Sequence, residues 1–289
     1  MRMKKWLLVF SIIAFSVGCD RPKGFTLKKI TSHHAPAPEW EVENSMSRRE
    51  LASLIGSKCH YLGSGNHTYA FVSDDGEIVI KFFKQKHMRT KTWADSLSIP
   101  AKRIFYPTGK IDRRMKERQN SFSSYKLAFE KLPEETGILY LHLNKTDNLN
   151  LPLTLIDQNG VALEVSLDEM EFLIQKKATL VFHHLRDLYK KGQSKEAERA
   201  ILSLFEIVAT RSQKGIYDKD LQFFKNFGFV NNRAIEIDIG EFRTNQDPNP
   251  TYEELKILSY QIRDFLKMHA PKHLSEVESK IADQIEQYK

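Results

Sequence analysis

Residues 61–83 read Tyr61-Leu-Gly63-Ser64-Gly65-Asn-His-Thr68-Tyr-Ala-Phe-Val72, then a polar turn, then Ile78-Val-Ile-Lys81-Phe-Phe83. Asp74-Asp75-Gly76 between two runs of aromatic and β-branched residues is a hairpin signal, and it predicts strands over 69–73 and 77–83. Glycine at 63 and 65 lets the backbone come close to a ligand, phosphate oxygens above all, with no side chain in the way. Lys81 stands inside an apolar strand, where an ammonium is costly unless paired. The alternative is an edge-strand lysine that reaches out to water.

A second stretch lies about 150 positions further on. It reads Gly215-Ile-Tyr-Asp218-Lys-Asp220-Leu, then Asn226-Phe-Gly-Phe-Val230, then Ala234-Ile-Glu-Ile-Asp238-Ile-Gly240. Strands are predicted over 226–230 and 234–239, with Asn231-Asn232 turning between them. A carboxylate at a strand end, as at 238, can leave the core and reach a solvated metal. A plain Asp-x-Gly turn is the alternative reading.

In this order the two stretches resemble the phosphate-handling parts of the protein-kinase-like superfamily, in flavour the small lipopolysaccharide-core and RIO-type kinases. The resemblance covers about residues 61–240 and implies a two-lobed α+β fold with a β-rich N-lobe and a short α-rich C-lobe. It implies that Gly63, Ser64, Gly65 and Lys81 hold the phosphates of ATP and that a helix glutamate pairs with Lys81, Glu117 first and Glu130 second. It implies that Asp220 serves the acceptor hydroxyl, with Asp218 as a rival, and that Asp238 and Asn226 hold Mg2+. Two positions depart from the pattern. Thr68 stands where a third glycine belongs, and Lys225 stands where the metal-binding asparagine belongs, one residue before Asn226. Either a one-residue bulge brings Asn226 into place or Lys225 replaces the ligand. Only 51 residues follow Asp238, and no Ala-Pro-Glu element is recognisable, so peptide recognition of the usual kinase sort is not expected.

Around these stretches the chain reads in two halves. Ser47 and Glu50 form a capping box ahead of a short helix carrying Leu51, Leu54 and Ile55. A helix is predicted over about 112–132, and strands over 137–143, 151–157 and 161–165. From Leu167 the apolar period is read as 3.6, predicting a helix over 167–191 ended by Gly192, then helices over 194–212, 251–268 and 274–288. The expected division is a β-rich N-lobe at 46–166 and an α-rich C-lobe at 167–289.

The N-terminus reads as a targeting segment. Arg2, Lys4 and Lys5 precede an apolar stretch, Trp6 to Gly18, too short to span a bilayer comfortably at about 20 residues. It predicts a signal peptide over 1–18. Ser16-Val17-Gly18-Cys19 resembles a bacterial lipobox, which implies lipidation of Cys19. Asp20 resembles the signal that retains lipoproteins at the inner membrane, so the periplasmic face is the expected location. Plain secretion and an uncleaved anchor stay open. A cytoplasmic-facing domain stays open too, because Arg21, Lys23, Lys28 and Lys29 follow the apolar stretch. Residues 19–45, with Ala35-Pro-Ala-Pro38, read as a lipid-anchored tether.

The net charge is +7, and loss of Arg2, Lys4 and Lys5 would leave +4. Basic residues cluster over 81–118, a solvated face or a surface for phosphate or an anionic membrane. No zinc finger, RNA-binding motif or basic zipper is present, which argues against nucleic acid. The two cysteines, Cys19 and Cys59, make no disulfide framework. His33-His34 and His183-His184 read as ordinary polar positions. The expectation is a membrane-tethered kinase-like domain that binds Mg-ATP and transfers phosphoryl groups to a hydroxyl. Its rivals are a catalytically inactive envelope scaffold, favoured by export away from ATP, and an unrelated α/β binding protein.

Overall fold

The computed structural model describes residues 24–88, 108–244 and 250–289. The signal segment and Cys19 lie outside the described residues, as do Arg89, Lys91, Lys102 and Arg103 of the basic run. The fold is α+β in two lobes. None of the helices among the described residues is long and apolar enough to cross a membrane.

The first lobe is built on a seven-stranded sheet. Its strands are β1 (Lys58–Ser64), β2 (Thr68–Ser73), β3 (Ile78–Phe83), β4 (Ile138–His142), β5 (Pro152–Ile156), β6 (Ala162–Ser166) and β7 (Phe172–Lys176), in the order β4-β7-β3-β2-β1-β5-β6. β1, β2, β3, β7 and β4 pair antiparallel, whereas β5 joins β1 in parallel and carries β6 as a hairpin. One face packs Phe25, Phe71, Phe82 and Phe172 into an aromatic core, with Phe71 edge-on to both Phe25 and Phe82. Helix α1 (Arg48–Ile55) buries Leu51 and Ile55, and its start is fixed by the Ser47/Glu50 capping box. Helix α2 (Thr108–Lys131) follows β3 in the chain. Its Phe122 and Tyr125 pack on Phe83, alongside Leu141 of β4 and Leu173 of β7. The single turn α3 (Pro133–Thr136) leads into β4.

The short strand β8 (Thr179–Leu180) crosses into the second lobe. There follow α4 (Val181–Lys190), α5 (Ser194–Gln213), β9 (Ile216–Asp218), α6 (Phe223–Asn226), β10 (Phe227–Val230), β11 (Arg233–Glu236), β12 (Phe242–Thr244), α7 (Pro250–His269) and α8 (Leu274–Glu286). α4, α5, α7 and α8 share a core of Leu185, Leu204, Phe205, Ile262 and Phe265. β8 pairs with β10, and Gly228 is required there: a Cβ would stand 2.7 Å from the Ala178 Cβ.

Two expectations are corrected. The helix predicted over 167–191 begins only at Val181, and Phe172–Lys176 is an interior strand between β3 and β4. Phe172 to Gln175 are all buried. A strand covered on both faces does not alternate, so its pattern resembles a buried helix. The sheet therefore runs on past 166 to Lys176. Of the tether expected over 19–45, the described part, from Gly24 on, packs apolar residues against the first lobe. Phe25 is 3 % exposed and Ile30 0 %. Asn144 holds the proline-flanked stretch by accepting from Ala37 N and donating to Ala37 O, each at 3.0 Å. Proline and histidine there exclude a long regular element, but single apolar residues still fill pockets on the sheet.

Candidate functional site

A cavity of about 310 Å³ lies between the lobes, lined by Asn66 and His67 from the β1–β2 turn, by Asp218, Lys219, Asp220 and Asn226, and by Asp238, Gly240 and Glu241. Three of the carboxylates and the asparagine singled out in the sequence thus share one wall. Their elements explain the convergence. β9 delivers Asp218, α6 ends at Asn226, and Asp238 comes just after β11.

The turn between β1 and β2 follows a register shift between Tyr61 and Gly63. Neither Gly63 nor Gly65 has positive φ, and a Cβ at either would meet nothing within 4 Å. Nothing inside the protein therefore demands glycine at these positions. What their missing side chains leave clear is the open space over the backbone. The turn is pinned from below by Lys84, a buried residue that the sequence shows only as one of the basic run 81–118. Its ammonium donates to the Gly65 carbonyl and lies 4.7 Å over the Tyr69 ring, and its backbone N donates to His67 O at 2.8 Å. Burial, with Lys86 and Lys29 nearby, pulls the Lys84 amine down to about 8. Thr68 is buried at the start of β2.

Lys81 pairs in register with Ala70 and Leu173 and sends its ammonium across to the other lobe, donating to the Ile237 carbonyl at 2.6 Å. Burial lowers its pKa to about 8, partly opposed by the Asp238 carboxylate. Lys81 thus lies behind Asp238. Glu117 does not complete this arrangement. It forms a 3.4 Å ion pair with Arg113 on α2. Glu130 lies on the outer face of α2, beside Trp40 and Lys126. What α2 offers the Asp-Ile-Gly segment is Ser124, whose hydroxyl donates to Ile239 O and accepts from Phe242 N at 2.7 Å. Tyr125 is buried beside it, and burial, then Asp238 and Glu241, push its hydroxyl well above its ordinary range.

The loop from Asp218 to Asn226 sets Asp218, Asp220, Lys225 and Asn226 in different surroundings. Asn226 Nδ2 donates to Asp218 Oδ2 at 3.1 Å and to Asp220 O at 2.5 Å. Two acceptors fix which end of the amide is nitrogen, so Oδ1 is the end left for a ligand. The extra residue is absorbed in α6, where Gln222 O accepts from Asn226 N at 2.9 Å. Lys225 is exposed. Asp218 is buried and acts as a brace: Oδ1 accepts from Asp220 N at 3.0 Å, and burial raises its pKa. Asp220 is the exposed carboxylate of the two, and Gln222 Nε2 donates to its Oδ1 at 2.6 Å.

Beneath the loop lies a fully buried guanidinium. Arg211 Nε is 3.0 Å and 2.9 Å from the two oxygens of Glu236, and Nη1 is 3.0 Å from Glu254 Oε1. Glu254 Oε1 also accepts from Asp218 N at 2.9 Å. The strand that ends before Asp238 and the loop that carries Asp220 are thus joined through one side chain. Burial pushes Glu236 up to about 8. For Arg211 burial acts against the charge, and the carboxylates of Glu236, Glu254 and Asp218 outweigh it, so its pKa rises.

Among the described residues no group of three or more His, Cys, Asp or Glu side chains is placed to hold a metal ion. One carboxylate and one amide oxygen, from Asp238 and Asn226, still fit Mg2+, which takes few protein ligands and fills its shell with water and phosphate. Sequence reading does not single out His67, Ser124, Arg211, Gln222 or Glu254. Of these, only Arg211 and Glu254 left a trace, as charges on otherwise apolar helix faces.

No family model matches the sequence, and no curated protein matches it. Solved structures similar to it include the bifunctional kinase-methyltransferase WbdD, 14 % identical over 70 % of this chain and 36 % of that one, with a TM-score of 0.35. WbdD crystallised with the kinase inhibitor LY294002 matches 77 % of this chain and 45 % of that one, at 14 % identity and a TM-score of 0.35. The Rv3197–erythromycin complex from Mycobacterium tuberculosis matches 73 % of this chain and 53 % of that one, at 12 % identity and a TM-score of 0.34. The chain spans about a third to a half of the length of these proteins. A likeness this faint assigns none of their activities to this chain.

Proposed function

We propose that the crevice between the lobes binds a magnesium nucleotide and that the domain transfers a phosphoryl group to a hydroxyl acceptor. The observation that carries this reading is the convergence of Asp220, Asn226 and Asp238 on one cavity that Asn66 and His67 of the β1–β2 turn also line, with Lys81 behind Asp238. The open backbone of Gly63, Ser64 and Gly65 holds phosphate oxygens, and the Lys81 ammonium neutralises them. Asp238 and the free oxygen of Asn226 hold the magnesium. When bound, magnesium neutralises charge on the phosphate oxygens. Asp220 points the acceptor hydroxyl and takes its proton. Its carboxylate is steered by Gln222 and its backbone by Asp218 and Asn226. Catalysis of this kind is positioning and charge neutralisation. The domain works at a membrane, held there by lipid on Cys19 once the apolar signal segment has been removed, at the periplasmic face of the inner membrane.

One observation favours a second reading, a nucleotide-free scaffold. Lys81 is already bonded to Ile237 O, and neither Glu117 nor Glu130 is placed to hold it toward a phosphate. Magnesium-dependent stabilisation of the chain by ATP, and its loss in Asp238→Ala, separates the two.

A further inference from the structure

Membrane attachment alone leaves the domain free to hang anywhere within reach of its tether. The packed start of the chain removes that freedom. Phe25 inserts between Tyr61, Tyr69 and Phe71, with ring centroids at 6.4, 5.2 and 4.9 Å, and its backbone N donates to Gln158 Oε1 at 3.3 Å. Ile30 is fully buried, and Ser32 N donates to Glu169 O at 2.9 Å. The chain is therefore fastened to the sheet from residue 25. Between the apolar stretch that ends at Gly18 and the fastened backbone at Gly24 lie residues 19–23. Fully extended, such a link spans at most about 20 Å at roughly 3.5 Å per residue. That is shorter than the reach of a 27-residue tether by a factor of about four to five.

The surface where the chain enters the fold is basic. Lys28 and Lys29 lie on the turn Leu27–Lys29, and Lys86 lies on the turn Gln85–His87, packed against it. The ammonium groups are close enough that Lys86 and Lys29 both depress the amine of Lys84. Lys28 and Lys86 are exposed. The acidic neighbours are engaged elsewhere: Glu171 is buried and accepts from Ser32 and Gln85, Glu169 pairs with Lys145 at 2.6 Å, and Asp157 on the β5–β6 turn beside Gln158 accepts from Asn159 N and Val161 N of its own turn.

We infer that this lysine face, on the N-terminal lobe, lies directly against an anionic bilayer and fixes the orientation of the domain on the membrane. The inference rests on the membrane attachment proposed above and is independent of the nucleotide reading. The short link sets the distance and the charge sets the face. A lysine near an anionic surface is worth roughly fivefold in partitioning, and the attraction fades within about 10 Å at 0.1 M salt. Because Lys84 also grips Gly65, the same apposition brings the glycine turn toward the lipid surface.

Lysine footprinting tests it on the protein purified from membranes with its natural N-terminus and no substitution. The chain is floated with vesicles of 30 % phosphatidylglycerol or of phosphatidylcholine alone, then pulsed with an amine-reactive ester and read by mass spectrometry. Lys28 and Lys86 are expected to react about tenfold or more slowly on the anionic vesicles than on the neutral ones. The exposed Lys195 and Lys272 of the helical lobe are expected to react equally on both. Raising the salt to about 0.5 M should abolish the difference. Equal rates at Lys28 and Lys86 on the two vesicles, or slowing shared equally by Lys195 and Lys272, overturns the inference while leaving membrane attachment in place. A chain that fails to float with either vesicle overturns both.

Discussion

The ammonium of Lys81 donates to the carbonyl of Ile237 at 2.6 Å, joining residues 156 positions apart in the chain. The bond brings the third strand of the sheet to the residue just before Asp238. It also leaves Lys81 largely desolvated, which is why its pKa falls to about 8. A ligand phosphate arriving at this site would give the ammonium a better partner than a neutral carbonyl.

A pH dependence of nucleotide affinity follows. A lysine lowered to about 8 is mostly protonated at pH 7 and mostly neutral at pH 9. Only the protonated form attracts phosphate. The Kd for ATP with Mg2+ is expected to rise about tenfold between pH 7 and pH 9. In Lys81→Met the affinity should be weaker and level over this range. Calorimetric titrations at four pH values check both.

Arg211 is expected to be the costliest surface-remote substitution. Removing it leaves Glu254 buried without its countercharge and Glu236 without its hydrogen-bond donor. Arg211→Met should cost about 3–5 kcal/mol in urea unfolding. The triple variant Arg211→Met, Glu236→Gln, Glu254→Gln should recover most of that loss, because no lone charge is then buried.

Glu236 gives the fold a pH slope of its own. Its pKa rises from the ordinary 4.5 to about 8 on folding. Between those values the folded protein keeps a proton that the unfolded chain has released, so stability falls as pH rises through this window. It is fully present below about pH 4.5 and level again above about pH 8, as far as this group is concerned. Glu236→Gln should flatten the difference in unfolding free energy between pH 6 and pH 8.

Gln222 should act on the chemistry and not on nucleotide binding. Its side chain donates to one oxygen of Asp220 and is not hydrogen-bonded to Asp238 or Lys81. Gln222→Ala is expected to lower kcat about tenfold, the worth of one positioning hydrogen bond, with ATP affinity unchanged. Gln222→Glu should lower it further, because a second carboxylate faces the first. Phosphate release or transfer measured with the acceptor, beside ATP titration, tells the two effects apart.

Much of the site's geometry was written in short-range pattern. The hairpin at Asp74-Asp75-Gly76, the capping box at Ser47 and the strand before Asp238 are local signals, and each has a local cause. The central strand Phe172–Lys176 was not legible, since a strand buried on both faces shows no alternation. The packing of Phe25, Ile30 and Trp40 was hidden for another reason. Those residues are isolated in a polar segment, and only the surface they dock on gives them meaning. Helix position alone points to Glu117. The rotation of α2 about its axis decides which side chain faces the site, and it presents Ser124 and Tyr125. The Arg211 cluster draws on α5, β11 and α7, so no single window of sequence contains it.

The account depends most on Asp238 being a metal ligand for bound nucleotide. The direct measurement is the thermal midpoint of the full chain with ATP, with and without Mg2+, for the natural protein and for Asp238→Ala. ATP at about 100 times its Kd should contribute near 2.7 kcal/mol, which raises the midpoint by several degrees, only when Mg2+ is present and only when Asp238 is intact. No shift with ATP, ADP or GTP, or a shift that Asp238→Ala leaves untouched, would contradict it.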